Sequence, residues 1–293
     1  NNPARIAKQG RESDKIINKT LNELKSEFAG YSPKIWTQNI YWSWLNCYRP
    51  LLTSYDSGYP WFMRNDNWQR KNLGTVLGSY AELKHDTLLY AKQSYAELGA
   101  GGDNPDEIPP VAKGYVEPDL EFWNRIISLA KTTRSGLEDR DVFPKIFESK
   151  FNAFIEASEF FALIAGQELQ NQIISDDDFE KLRTISSKLS RVANPVLGQE
   201  LTKKEKRSGI IADIHTDVVN QEILYEATGK PCIIYALVKD ANGARLTRGA
   251  VFNHYEFTNN LDERLSDEDW QARIYEQAAP LPPADKWTNE LIK

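Results

Sequence analysis

Two short stretches hold residue types at spacings that support chemistry. In GSYAELKHDTLLYAKQSYAE, residues 78 to 97, Glu82 and His85 stand three apart with Asp86 beside them. Residues three apart share one face of an α-helix. Glu-x-x-His on a helix is half the ligand set of the di-metal carboxylate proteins, which need the motif from two helices. In IADIHTD, Asp213, His215 and Asp217 alternate, and alternate residues of a regular strand project to the same side. Two carboxylates and an imidazole on one face suit Zn²⁺, Mn²⁺ or Ca²⁺, or acid–base work. Such neighbours sit ~6.5–7 Å apart on an extended strand, so sharing one ion needs curvature, or only two of the three as ligands. The following Val218-Val219-Asn220 reads as a strand passing into a turn, which allows that curvature. If His85 with Glu82 or Asp86 meets His215 with Asp213 or Asp217, the result is a mixed nitrogen and oxygen site of zinc-hydrolase type, with a spare carboxylate as general base. The competing reading is structural. Glu82, His85 and Asp86 are then polar contacts of a core helix, and His215 is a strand-end residue bonded to a neighbouring carboxylate or backbone group.

Other catalytic signatures are lacking. The sequence has no His-Glu-x-x-His, no Gly-x-Ser-x-Gly elbow, no Walker loop and no Gly-x-Gly-x-x-Gly. Gly99-Ala100-Gly101-Gly102 is not followed by Lys-Ser/Thr, so it does not read as a phosphate cradle. Asp176-Asp177-Asp178 lacks the glycine and distal glutamate of an EF-hand loop and reads as the acidic first turn of a helix. Cys47 and Cys232 are too few for a disulfide framework and read as unpaired small apolar residues.

The elements that must position these residues divide the chain in two. Ile16, Ile17, Leu21, Leu24 and Phe28 form an amphipathic helical stripe closed by Gly30. A second helix is expected from Pro33 to the Arg49-Pro50 break, with Ile40, Trp44, Cys47 and Leu51 as its buried face, and Ser54 to Pro60 is a turn-rich loop. A long helix or two helices should run from Asn67 to about Leu98, with Gly74 and Gly78 allowing close approach of another helix or an aromatic ring. The stretch Gly99 to Pro105, followed by Pro109-Pro110, is the clearest loop. Helices resume at Pro118-Asp119, after Asp141 and at Ser175, where Asp178 completes a cap. Past Lys203 to Arg207 the period changes, with short β-rich runs at 210–215, 222–228, 232–238 and 246–257 and a hairpin signal at Asp240-Ala241-Asn242-Gly243. Ser266 to Asp269 starts a last short helix, before a proline-rich tail that reaches Trp287. The fold class is α+β: a helical domain, residues 1–205, and residues 206–293, a small antiparallel β-sheet with a C-terminal tail packed on the helical body.

A net charge of -6 argues against nucleic acid as the main partner, and no apolar run approaches the ~20 residues that span a bilayer. The chain opens Asn1-Asn2-Pro3 without Met, the expectation for a processed or trimmed piece of something longer. Eight Trp and thirteen Tyr crowd toward the first third, a composition that serves a ligand platform, an interface or a buried helix face.

The phrases YWSWLNCYRPLL, GYPWFMRNDNWQRKNLGTVLGSYAELKHDTLLYAKQS, IADIHTD and LTRGAVFNHYEF, with the closing LSDEDWQARI and Trp287-Thr288, resemble the prokaryotic family known as domain of unknown function 3160, from about Trp36 onward. The resemblance is to the C-terminal part of longer members, often with export or lipoprotein signals. It implies an extracellular or cell-envelope location and an N-terminal portion lying elsewhere; it brings no catalytic residues. His254 stands where the family resemblance leads one to expect a smaller or tyrosyl residue, which weakens it as a carrier of shared chemistry. Three functions follow as expectations: a secreted or envelope binding or scaffold module; a metal-dependent hydrolase using Zn or Ca at the His/carboxylate residues above; or a processed chain held to its own N-terminal portion, or to another envelope protein, with a divalent ion as a clip.

Overall fold

The computed structural model describes residues 3–88, 113–193, 207–283 and 288. The expected loop of Gly99 to Pro105 with Pro109-Pro110, the helix beyond Leu88 and Trp287 lie outside the described residues. The described chain is α+β, with helices α1 (Pro3–Ala29), α2 (Pro33–Trp36), α3 (Ile40–Tyr48), α4 (Asp66–Leu88), α5 (Leu120–Glu138), α6 (Glu148–Leu169) and α7 (Asp176–Ala193). Strands β1 (Ile211–Asp217), β2 (Glu222–Thr228), β3 (Cys232–Asp240), β4 (Gly243–Val251) and β5 (His254–Asn260) follow, then α8 (Asp267–Glu276). The chain forms two compact units, Asn1–Asn46 and Cys47–Lys293.

In the first unit the apolar stripe of α1 does not enter a core. Ile16, Ile17, Leu21, Leu24 and Phe28 are 40% to 66% exposed. The aromatic residues pack among themselves instead: Trp36 and Trp42 meet edge to face at 5.4 Å, and Tyr31 lies 5.7 Å from Trp42. The helix expected from Pro33 to Arg49 is two helices. Asn39 breaks it, because its side-chain Oδ1 accepts the Trp42 N–H at 2.9 Å and so caps a new start.

In the second unit β1, β2 and β5 form one antiparallel sheet in the order β1-β2-β5, while β3 and β4 form a separate hairpin. The run expected as one strand from Leu246 to Phe257 is divided between them. Ile211, Ile223, Tyr225, Ala227 and Tyr255 on one sheet face pack against Trp270 and Ile274 of α8. Ser266 and Asp269 cap α8 reciprocally, and the Trp270 indole N–H donates to the Thr228 carbonyl at 2.8 Å. That anchors the helix to the sheet. Helix α4 packs on the same three strands. A Cβ on Gly78 of α4 would lie 2.8 Å from Phe252 Cβ, which is the close aromatic approach expected of that glycine.

A second core joins Val116, Ile164, Ile174 and Phe179, with α5, α6 and α7 around it. A third places Phe62, Met63 and Trp68 against Val238 of the hairpin. The opposite hairpin face carries exposed Ile233, Tyr235, Leu237 and Leu246.

Candidate functional site

Helix α4 carries His85 into the core at 2% exposure. Its Nε2 lies 2.7 Å from Asp267 Oδ2, and its Nδ1 lies 3.3 Å from Asp86 Oδ1. Asp267 opens α8, and its other oxygen accepts the Ile211 N–H at 3.1 Å. One carboxylate therefore ties α4, β1 and α8 together, with the imidazole as the bridge. The Asp267 hydrogen bond raises the His85 pKa, against the opposing effect of burial. Glu82, one turn back, is raised first by burial and then by Asp86. Both ring nitrogens of His85 face carboxylates.

Of the alternating strand residues, His215 and Asp217 stay on one face, opposite Leu224 and Glu222, and Asp213 does not join them. Asp213 is opposite Tyr225 and His215 is opposite Leu224, so Ile214 is an extra residue at a bulge. Tyr225 and Leu224 are consecutive and project to opposite faces, so Asp213 and His215 do too. Asp213 pairs with Arg264 at 3.1 Å. His215 is exposed. Asp217 Oδ1 accepts the N–H groups of Val219 and Asn220 at 2.9 and 3.0 Å, fastening the turn into β2, and those bonds hold its pKa below the usual carboxylate value. Among the described residues no three or more His, Cys, Asp or Glu side chains are gathered where they could hold one metal ion. The third histidine, His254, meets Glu226 at 2.7 Å with both side chains buried. Cys47 and Cys232 are free thiols, and burial pushes the Cys47 thiol up to about 12.

A different constellation surrounds the start of α5. Asn72 of α4, fully buried, donates from its amide nitrogen to the Leu51 carbonyl at 3.1 Å and to the Tyr55 hydroxyl at 2.8 Å. Tyr55 in turn donates to Asp119 Oδ2 at 2.6 Å, and Asp119 Oδ1 caps α5 by accepting the Phe122 N–H at 3.4 Å. Burial raises the pKa of Asp119, against the lowering effect of those two bonds. Beside this pair lies an ion pair of Lys71 with Glu117.

Tyr55 and Asp119 form part of the wall of a cleft of about 460 Å³, completed by Arg49, Tyr59, Glu121 and Arg125 among others. Its size falls within the ~300–1,000 Å³ range of small-molecule sites. Burial and the nearby Arg125 lower the Arg49 pKa. Arg125 Nε donates to Glu121 Oε1 at 2.8 Å, one helical turn away.

Residues 5–288 match the family model described as a protein of unknown function, DUF3160. The chain belongs to that family. No curated protein and no solved structure matches it.

The cleft was not singled out by sequence reasoning. Pro118-Asp119 registered there as a helix start, which Asp119 is, but a capping aspartate carries no mark of a cleft beside it. Asp267 likewise lay inside a stretch read only as a helix start, with nothing to reveal a histidine partner 182 positions away.

Proposed function

We propose that this DUF3160 protein works by binding, as a secreted or cell-envelope module, and that its buried histidines, His85 and His254, serve the fold and not a reaction. The observation that carries the reading is the cleft between the Arg49-to-Tyr59 segment and the start of α5, with its charged and aromatic lining. Its wall is held by the Asn72–Tyr55–Asp119 chain of hydrogen bonds, so the site is pre-formed, and a pre-formed site spends little binding energy on ordering itself. His85 and His254 are buried against carboxylates, away from any role that needs an open coordination position. The envelope address rests on the resemblance to longer, exported members.

Mapping of amide resonances in ¹⁵N-labelled protein tests this reading. Small carboxylates, sugars and short peptides are added one class at a time. At least one class is expected to shift amides within Thr53–Tyr59 and Asp119–Arg125 in a saturable way. Shifts gathered instead around His85 and His215, together with turnover of a hydrolase substrate, would overturn it.

A further inference from the structure

The β3–β4 hairpin is apolar on both of its faces. On the inner one, Val238 is fully buried and, with Ile234 and Ala236, packs on Phe62, Met63 and Trp68. On the outer one, the cross-strand rows are Ile233 with Ala250, Tyr235 with Arg248, Leu237 with Leu246, and Lys239 with Ala244. All eight of these residues are exposed, with Ile233, Tyr235, Leu237 and Leu246 at 55%, 60%, 54% and 67%. An antiparallel sheet with one solvated face ordinarily turns polar residues to the water. Apolar residues scattered singly over a surface are ordinary too, whereas four in adjoining rows make a patch.

The charges and the size of that face narrow what covers it. None of the eight residues is acidic. Arg248 and Lys239 have no hydrogen bond or ion pair among the described residues, while Arg245 of the same hairpin is tied to Asp240. A second copy laid face to face would set these cations against their own images. From row 233 to row 239 the strip runs ~20 Å, and two strands are ~10 Å across, giving roughly 200 Å². A stable protein–protein contact takes about 800 Å² from each partner, four times this strip. A bilayer asks for no such area and no shape match. A flat apolar strip with a tyrosine, and long basic side chains that reach back to phosphates, is the chemistry of interfacial binding. No helix among the described residues is long and apolar enough to cross a membrane, so this contact is peripheral. The net charge of -6 opposes an anionic surface, but beyond ~10 Å that repulsion is screened in 0.1 M salt, and the groups nearest the lipid are the two cations.

We infer that the outer face of the β3–β4 hairpin rests on a phospholipid bilayer. Ile233, Tyr235, Leu237 and Leu246 dip into the interface, and Arg248 and Lys239 meet lipid phosphates. None of these residues lines the cleft, so this contact and the cleft stand or fall separately.

Flotation of the whole chain with vesicles of phosphatidylcholine and phosphatidylglycerol, about three to one, tests it. About half of the protein should float at about 1 mM lipid in 0.1 M salt. Leu237→Ser with Leu246→Ser should weaken flotation by at least about tenfold and leave the melting temperature nearly unchanged, since both side chains are exposed. Lys239→Gln with Arg248→Gln should weaken it by about tenfold. Should the double serine variant fail to fold, Tyr235→Ser gives the same comparison with a smaller loss. Wild type that stays unbound at about 5 mM lipid, well above the expected midpoint, would overturn the inference. So would serine variants that float as wild type does, since the lipid contact would then lie elsewhere. Flotation indifferent to the glutamine pair would overturn the phosphate contacts. Light scattering that finds wild type dimeric and the double serine variant monomeric would give the face to a second copy and overturn the bilayer.

Discussion

Glu168 shows what a lone buried carboxyl costs a fold, and how that differs from a buried pair. Its Oε1 accepts the Val116 N–H at 3.2 Å, while Oε2 has no hydrogen-bond partner among the described residues. Burial, with a further push from Asp240, raises its pKa to about 9. An unfolded glutamate titrates near ~4.3, so between about pH 4.3 and 9 the native state binds more protons than the unfolded one. Stability then falls as pH rises through that window. Glu168→Gln keeps an acceptor for Val116 and removes the ionisation. It should be more stable than wild type at pH 8 by about 1–4 kcal/mol, with the advantage lost near pH 4, where both side chains are neutral. Urea unfolding at the two pH values measures this. A variant less stable than wild type at both would contradict a protonated Glu168. His254 with Glu226 and His85 with Asp267 are the opposite arrangement, in which each buried group is answered by a partner. None of these partnerships could be read from spacing, since the partners stand 28 and 182 positions apart.

At the scale of elements, local chemistry was legible and long-range geometry was not. Ser175 and Asp178 cap α7 as their spacing indicates, and the helix start expected at Ser266 to Asp269 is α8, which Ser266 and Asp269 cap. The hairpin closes at Asp240 and Gly243, where the glycine takes φ +100. The break at Asn39 was hidden because the apolar spacing runs on through it, and one side-chain cap decided the matter. The bulge at Ile214 was hidden for a related reason. Alternation in sequence says nothing about an inserted residue, and a single insertion moves Asp213 to the other face. Gly78 is the clearest case of an element positioned by one missing atom. Alanine there gains about 1 kcal/mol in helix propensity but puts a Cβ 2.8 Å from Phe252 Cβ, and overpacking of that kind costs about 1–3 kcal/mol. Gly78→Ala should therefore lower the melting temperature by up to about 8 °C, with Phe252→Gly in the same chain, which removes the clashing Cβ, restoring part of it. A higher melting temperature for the single variant would show that α4 does not lie against Phe252 as described.

At the scale of the whole molecule, the unit from Cys47 onward includes a three-stranded sheet on which both α4 and α8 pack. His85 is the strut at one corner of that arrangement, where α4, α8 and β1 meet. The helical and strand-bearing regions were legible because hydrophobic period and turn residues are local properties. The cleft was not, because Arg49, Tyr55 and Asp119 come together only when the chain folds back on itself. The family match supplies membership, and the chemistry of the site has to come from these residues.

The central claim, that His85 holds the fold and the protein works by binding without metal chemistry at its histidines, is tested most directly by equilibrium unfolding of wild type and His85→Gln. The hydrogen bond that His85 donates to Asp267 raises the His85 pKa, so its stabilising increment is complete below the unfolded value of ~6.5 and is lost as pH climbs through the higher native value. In chelator, the variant should be less stable by about 1–3 kcal/mol at pH 6, and the gap should narrow at pH 9. Equimolar zinc at pH 7 should leave the gap between the two proteins unchanged. Zinc that stabilises wild type and does nothing for His85→Gln would contradict the account and make His85 a ligand.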